Sequence, residues 1–584
     1  MNISDNARFR TLFLIVIFIS ISIVQLISIN LKTPNNYVVD IYFYYPMHYW
    51  IILSILYVII FTTIIHQSFQ GHSDRFFLSL LVFALFISSV ALSFQNSSLF
   101  FFTGRGDPLS HLGLVKDIII HESWLSDINM YPMTHLLIAS ITLISHCPII
   151  QVTQNIPGFL YVVYFLSMYC VGKVLLQKET IFYFFLAFAS LPIFGFVQNQ
   201  FYPYMFMVFF TPFLLYLVVK CKDKQIKEFV FIFLIIILFT SLAHPLYSII
   251  WSILLFFMAA IKYVDFNNKV SGVNPLFFGG LLLLILFLYI SFLRIEILTS
   301  FLRLYDFAVY GAELNTEIGE QLVRIRPETS ITKLIRGIIF YYGHFIIMAI
   351  VSGIIFIYTS FSTFVQKRKI DNNVILLSVV SFSLYLLSLI LFFVTGFDIH
   401  RIYNIGHVFT IVLIPIFILC FLTNKGQVGL KYVLLTTIVI ICLVIISLFS
   451  IYPSSYFTIR GNEQVTESEY NAMVFFHEHR INIPYVESGA RTARFYHAIY
   501  GMQAAYDNNM KDYTDRKPKE YLGYDQFLDF ADGHGSNIYF LDRFFNQLLE
   551  LGSMDESILI QFNNDRSVYK FFSNDDIGYY LIIK

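Results

Sequence analysis

The chain has 584 residues, of which 57% are hydrophobic and 13% are charged, whereas a soluble globular chain carries about 25% charged residues. This composition excludes an ordinary soluble protein and indicates that much of the chain lies in lipid. Lys and Arg number 38, as do Asp and Glu, so no nucleic-acid partner is predicted. The five cysteines show neither a disulfide framework nor the spacing of a zinc site.

Apolar runs that approach the length of about 20 residues needed to cross a bilayer recur along the chain. The first follows Arg8 and Arg10, exceeds the apolar region of a signal peptide and lacks a small-residue cleavage site, so it is predicted to be a retained span. The runs are 11–30, 49–66, 76–95, 133–149, 155–176, 180–197, 202–220, 227–243, 246–263, 275–293, 335–359, 373–394, 405–422 and 432–451.

Positive charges fall on alternate connections between these runs, with the densest cluster at 220–227. The positive-inside rule then places the N-terminus in the cytoplasm and residues 452–584 outside the membrane. Two apolar runs, 133–149 and 155–176, lie where only one net crossing is allowed. We interpret 133–149 as re-entrant or packed against other helices, which leaves about thirteen crossings of a polytopic α-helical membrane protein.

Two parts of different character are predicted. Residues 1–451 form a multi-span transmembrane domain with outer loops 96–132 and 294–334. Residues 452–584 are polar and form a small soluble extracytoplasmic α/β domain. In this domain the pattern predicts a helix at 465–480, capped by Thr466 or Ser468. Strands are predicted at 537–541, 557–562, 567–572 and 578–583, the last two joined as a hairpin.

The segment 103–121, TGRGDPLSHLGLVKDIIIH, is the leading candidate for chemistry. Asp107 and Pro108 begin a predicted interfacial helix, and His111 lies four residues on, on the same helical face as Asp107. A carboxylate and an imidazole at this spacing could share a proton, hold a metal ion or face one substrate. Simple N-capping by Asp107 is the alternative, and both roles are compatible because a cap leaves one carboxylate oxygen exposed.

Basic residues gather in the second outer loop, where the positive-inside rule does not favour them. The planar fork of Arg suits phosphate, and pairing with acidic residues of the same loop is the alternative. A third outer turn, 396–404, adds another arginine, and two histidines beside spans are candidates for pocket lining. The substrate-binding candidates are Arg105, Tyr131, His135, His244, Arg294, Arg303, Arg324, Arg326, Arg336 and Arg401.

The run GDPLSHLGLVKDI, followed by MYPMTHLL at 130–137, resembles the first outer loop of the GT-C superfamily of membrane glycosyltransferases. The resemblance implies transfer of a sugar from a polyprenyl-phosphate donor, usually with inversion, to a glycan, lipid or protein acceptor. Asp107 matches the acidic loop residue of that family. Some branches carry two adjacent acids where this chain has Gly106-Asp107, so a divalent cation, Mg²⁺ or Mn²⁺, held by Asp107 and His111 and a metal-free reaction both stay open.

Two other classes of function are kept as alternatives. A transporter or flippase for a lipid-linked precursor would need charged or broken helices near the membrane midplane, where His344 is the main ionisable residue. A non-catalytic membrane scaffold would have outer loops that pack without forming a cavity. No Gly-rich phosphate loop, HExxH, GxSxG or Cys-pair motif is present, which argues against soluble nucleotide-driven chemistry.

Overall fold

The structure is a computed structural model, and its description covers most of the transmembrane region and parts of the C-terminal region. The described residues are 3–30, 38, 40–70, 74–124, 129, 131–176, 178–223, 227–264, 275–293, 331–366, 372–395, 400–422, 430–452, 463–479, 485–486, 492–507, 537–542, 564, 568–573 and 577–582.

The described helices dominate the fold. Those in the first half are α1 Ile3–Asn30, α2 Ile41–Tyr44, α3 Met47–Gln70, α4 Arg75–Leu99, α5 Asp107–His121, α6 Pro132–Ser145, α7 Ile149–Leu175, α8 Glu179–Ala189, α9 Pro203–Asp223, α10 Lys227–Ala243, α11 Pro245–Val264 and α12 Pro275–Leu293. Those in the second half are α13 Ile331–Phe364, α14 Asn372–Thr395, α15 His400–Leu422, α16 Leu430–Ser450, α17 Glu467–His479, α18 Thr492–Tyr500 and α19 Met502–Asp507.

Within the described ranges, eight helices are long and apolar enough to cross a membrane, and shorter apolar helices accompany them. This confirms the predicted polytopic helical membrane protein, while the number of about thirteen crossings stays a prediction. The eight segments are Arg10–Asn30, Met47–Ser68, Arg75–Gln95, Ile149–Leu175, Pro203–Lys220, Ile335–Thr363, Val374–Phe392 and His400–Ile418.

The run 180–197 is not one continuous helix. Helix α8 ends at Ala189, and a 3₁₀ turn follows at Gly195–Gln198 after Pro192. Proline cannot continue the hydrogen-bond ladder, and Gly195 has φ +57°, a conformation that side-chain-bearing residues rarely adopt. The residues that follow the helix are buried, and irregular backbone at membrane depth is tolerated where protein covers it.

Helix α6 is short, with a contact to α9 at its start and a contact to the α5 cluster just beyond its end. At its start, Thr134 donates a hydrogen bond to the main-chain oxygen of Pro203 at 3.4 Å, where α9 begins. Beyond its end, Ile149 packs against the cluster that contains Leu109 of α5. A helix of 14 residues is about 21 Å long, less than the hydrocarbon thickness of about 30 Å. Whether 133–149 is re-entrant or packed against other helices stays a prediction.

The segment that follows α4 and the C-terminal segment, defined here as residues 463–584, are joined by a short antiparallel ladder. Strand β1, Phe102–Thr103, pairs with β2, Gln464–Val465. At the opposite end of α4, Asp74 accepts a hydrogen bond from Arg10 of α1 at 2.6 Å. The start of α1 and the C-terminal segment therefore lie at opposite ends of α4. Which end faces the cytoplasm stays a prediction.

The described part of the C-terminal segment contains a four-stranded sheet of order β3-β4-β6-β5. The predicted hairpin is present, and β3 runs parallel to β4. The predicted strand 557–562 lies outside the described residues, and the soluble domain 452–584 as a whole stays a prediction. The strands are β3 Tyr485–Val486, β4 Asn537–Asp542, β5 Val568–Ser573 and β6 Ile577–Ile582.

A second cluster of buried apolar residues packs α17 and α18 of the C-terminal segment against α5. The predicted helix of the tail is α17, and its cap is Thr466, whose Oγ1 accepts a hydrogen bond from Glu469 N at 3.1 Å. Helix α18 approaches α5 closely because residue 113 is Gly, and a Cβ there would lie 2.5 Å from the main-chain oxygen of His497. Buried apolar residues fill the interface: Phe102, Leu109, Leu112, Val465, Met473, Phe476 and Phe495.

Candidate active site

A cavity of about 220 Å³ opens where α5, the C-terminal segment and the starts of three membrane helices meet. Helices α9, α11 and α15 begin at its wall, so the N-termini of these three helices, with their partial positive charge, lie beside it. Its lining residues are Asp107, Ser110, His111, Leu114, Tyr131, Tyr202, Pro203, Tyr204, His244, Arg401, Arg494 and Met502.

Asp107 is the acidic residue of the cavity wall. It is the first residue of α5, ahead of Pro108, and its side chain is 53% exposed. Its Oδ1 lies 3.5 Å from Nη2 of Arg494. The carboxylate is thus accessible to a ligand and lies close to a guanidinium that belongs to the C-terminal segment.

Arg494 reaches the cavity from α18 and is held by α5. Its Nη1 donates a hydrogen bond to Ser110 Oγ at 2.7 Å. Ser110 Oγ lies 2.9 Å from His497 Nδ1, so the hydroxyl accepts from Arg494 and can donate its own proton to His497. This chain of contacts directs the second amino group of Arg494 towards Asp107.

Arg401 supplies the second guanidinium of the wall, at the start of α15. Its guanidinium carbon lies 5.8 Å from the centre of the Tyr204 ring, a cation–π distance. Its main-chain oxygen accepts a hydrogen bond from the Tyr247 hydroxyl at 2.7 Å. Two guanidiniums and one carboxylate are thus among the described residues that line the cavity. Guanidiniums bind the oxygens of phosphates and carboxylates, so both arginines can contact an anionic ligand there.

The histidines of the wall are neutral. Burial, followed by the charges of Arg494 and Arg401, lowers the pKa of His111 to about 3. Burial and the Arg401 guanidinium lower the pKa of His244, which lies between α10 and α11, to about 3. His244 also stacks on Tyr131, with ring centres 5.0 Å apart and an angle of 11° between the rings. At neutral pH these imidazoles act as hydrogen-bonding groups and carry no charge.

The structure brings together five of the residues that the sequence singles out, and it places others elsewhere. Asp107, His111, Tyr131, His244 and Arg401 line the cavity, and His135 stacks directly behind His111. Arg105 is buried against Glu469, and Arg336 lies on α13; neither is among the lining residues. Four predicted arginines lie outside the described residues: Arg294, Arg303, Arg324 and Arg326.

The described residues do not supply a set of metal ligands. No group of three His, Cys, Asp or Glu side chains in the described ranges is placed to hold a metal ion. His111 Nδ1 already lies 3.1 Å from His135 Nε2, and Asp107 is the other candidate ligand of this pair. A divalent cation at Asp107 and His111 would thus find no third His, Cys, Asp or Glu ligand among the described residues.

Sequence reasoning missed the contribution of the C-terminal segment to the cavity. Arg494 and Met502 both line it, more than 380 residues after Asp107. The sequence offered only a local signal for this contribution. Arg494 and His497 are three residues apart, hence neighbours on one face of a helix in the tail. Which surface that face covers depends on tertiary packing.

A turn between α18 and α19 fixes Met502 and Arg494 relative to α5. Asp117 Oδ2 accepts hydrogen bonds from Met502 N at 2.8 Å and Gln503 N at 3.0 Å. Burial raises the pKa of Asp117, and these two N–H groups oppose that shift by favouring the carboxylate. Lys116 donates to the main-chain oxygen of Ile499 in the last turn of α18, just before this turn. Helix α5 thus binds the turn on both sides.

Gly501→Ala should loosen this turn. Gly501 has φ +101°, and a Cβ there would lie 2.1 Å from Asp117 Oδ1, so we expect a cost of about 1–3 kcal/mol in docking of the C-terminal segment. Limited proteolysis of the C-terminal segment should become faster. Gly280→Ala is the matched control, because no atom lies within 4 Å of a Cβ at that helical position. Equal proteolysis rates for the two variants would contradict this account.

No protein-family model matches the chain, and no curated protein matches it by sequence. Among solved structures, it is similar to an oligosaccharyltransferase of Archaeoglobus fulgidus in the apo form, at 11% identity and a TM-score of 0.45, over 80% of this chain and 70% of that one. It is also similar to ArnT of Cupriavidus metallidurans bound to undecaprenyl phosphate, at 9% identity and a TM-score of 0.42, over 86% and 97% of the two chains.

The apo state of the same ArnT gives 9% identity and a TM-score of 0.43, over 87% of this chain and 98% of that one. The polytopic helical architecture is supported by the described membrane-length helices, and the GT-C-like character of the chain stays a prediction. At such identities and TM-scores, no residue, substrate or activity is carried over from them to this chain.

Proposed function

We propose that the chain is a membrane glycosyltransferase that moves a sugar from a polyprenyl-phosphate donor to an acceptor on the extracytoplasmic face. The observation that carries the proposal is the meeting of Asp107 with Arg401 and Arg494 in one cavity at the starts of membrane helices. A lipid-linked sugar phosphate needs a site with these groups next to the membrane. Its tail requires lipid, its phosphate requires cations, and its reacting carbon requires a nearby acid or base.

In the proposed reaction the acceptor hydroxyl attacks the anomeric carbon of the donor. The Asp107 carboxylate takes the hydroxyl proton as the new carbon–oxygen bond forms. The bond between the anomeric carbon and the phosphate oxygen breaks, and its electron pair stays on the departing polyprenyl phosphate. Arg401 and Arg494 stabilise the additional negative charge, with the three helix N-termini beside them. Atoms and charges balance without a further reactant.

The proposal is tested by supplying the protein in lipid nanodiscs with polyprenyl-phosphate donors that carry labelled hexoses or pentoses. We expect labelled product, whose acceptor can be a glycan, a lipid or a protein, with release of one polyprenyl phosphate for each sugar transferred. In a second preparation, sealed vesicles that contain the protein, movement of uncleaved labelled donor across the membrane would instead support the transporter alternative. The helix break after Ala189 and the buried His344 in α13 are features that alternative predicts.

Arg401→Ala and Arg494→Ala should each weaken binding of polyprenyl phosphate by about 10-fold or more, because a hydrogen bond to a charged group contributes about 1.5–3 kcal/mol. Tryptophan fluorescence or a thermal-shift titration with the lipid measures the change. Arg75→Ala is the control, since Arg75 begins α4 at the end away from the cavity and pairs with Glu179. Unchanged binding in both cavity variants would remove the proposed phosphate site.

A further inference from the structure

A short chain of side chains stands behind the cavity wall and ends on His111. His111 Nδ1 lies 3.1 Å from His135 Nε2, and His135 Nδ1 lies 2.9 Å from Asn129 Oδ1. The two imidazoles stack, with ring centres 5.1 Å apart. His135 and Asn129 are buried, whereas His111 is the member that lines the cavity.

The proton positions along this chain follow from what each atom can donate or accept. A neutral imidazole carries one N–H and one acceptor nitrogen. The tautomer that satisfies Asn129 Oδ1 carries the His135 proton on Nδ1, because this oxygen lies 2.9 Å from Nδ1 and can only accept. His135 Nε2 is then an acceptor, and the proton between the two rings belongs to His111 Nδ1. His111 Nε2 is left unprotonated.

The surroundings hold both rings in these orientations. Trp124 Nε1 donates to the main-chain oxygen of Asn129 at 3.0 Å, which fixes the residue at the end of the chain. Phe201 packs edge-on against His111 and His135, with ring centres 6.0 and 6.4 Å away. A flipped imidazole of His111 would lose its hydrogen bond to His135.

We propose that His135 is a positioning residue that makes His111 Nε2 a hydrogen-bond acceptor in the cavity, and that this acceptor takes a hydroxyl group of the substrate. The argument uses the composition of the wall. Arg401 and Arg494 can only donate, so a hydroxyl-rich ligand needs acceptors elsewhere, and His111 supplies one beside the Asp107 carboxylate. That the hydroxyl belongs to a sugar or its acceptor rests on the proposed function; the tautomer does not.

The tautomer is measured by ¹⁵N NMR of histidine-labelled protein in nanodiscs, with the His111 signals assigned by their loss in His111→Gln. We expect His111 Nδ1 to be protonated and Nε2 unprotonated in the unmodified protein, and a mixture of tautomers in His135→Ala. A protonated Nε2, or a His111 tautomer that is unchanged in His135→Ala, overturns the inference. This measurement does not depend on any enzymatic activity.

The functional arm compares two variants of His135. Gln can accept the His111 Nδ1 proton through Oε1, so His135→Gln should keep transfer within about 3-fold, whereas His135→Ala should lose about 10–100-fold, because it leaves the His111 N–H without its acceptor. Equal losses in both variants would overturn the positioning role, and the Gln variant keeps the test decisive if the Ala variant folds poorly. Failure of the glycosyl-transfer proposal is distinguishable, because unmodified protein would then show the expected tautomer without transferring sugar.

Discussion

Asp107→Asn should lower sugar transfer by about 10³-fold, within the 10²–10⁴-fold that a positioned general base contributes. Asn has the size of Asp and can still begin α5, but its amide cannot take the acceptor proton and carries no charge. The fold should persist, because the contact with Arg494 at 3.5 Å is half exposed and such ion pairs contribute about 0–1 kcal/mol. The variant thus separates chemistry from structure.

The measurement is the rate of sugar transfer with the donor at saturation, alongside binding of polyprenyl phosphate. Binding should be retained in Asp107→Asn, since Arg401 and Arg494 remain in place. Glu478→Gln is the matched control, because Glu478 is an exposed carboxylate on α17. Transfer by Asp107→Asn at more than a tenth of the normal rate would exclude Asp107 as the base.

The membrane part of the fold could be predicted because lipid imposes simple rules on a chain. Backbone groups in hydrocarbon must bond to each other, so long apolar runs form helices, and most predicted runs do. The run 180–197 departs from the rule because Pro192 and Gly195 end α8 early. Burial by neighbouring helices permits that break, and burial by neighbours cannot be read from the run itself.

The candidate site could be predicted in part because alternating membrane crossings bring residues that are distant in sequence to the same end of the bundle. Asp107, His244 and Arg401 each fall on a connection at the same end of the bundle, and they do share one cavity. Location at that end does not distinguish a residue that faces a ligand from one that faces protein. Arg105 is two residues from Asp107, yet it is buried on Glu469, 364 residues further along the chain. Such a pairing is decided by packing alone.

Removing one partner of the buried Arg105–Glu469 pair should have the largest effect on folding. The side chains are 2% and 1% exposed, and both terminal nitrogens of Arg105 donate to the two carboxylate oxygens. Arg105→Met or Glu469→Met leaves the other charge buried without this partner, and breaking a buried ion pair in this way costs about 3–5 kcal/mol. We expect faster proteolysis of the C-terminal segment and a lower Tm in each single variant.

The double variant Arg105→Met/Glu469→Met separates the charge effect from loss of packing. With no charge left to bury, most of the lost stability should return, because replacing a buried pair by apolar groups is often neutral. Transfer should follow docking. Glu469 is on α17, which is bonded to α18 through His477 and the main-chain oxygen of Thr492, and α18 carries Arg494 to Asp107. A double variant as unstable as the single variants would show that the pair contributes through its geometry. Undiminished transfer in a single variant whose C-terminal segment is undocked would show that this segment is dispensable for the site.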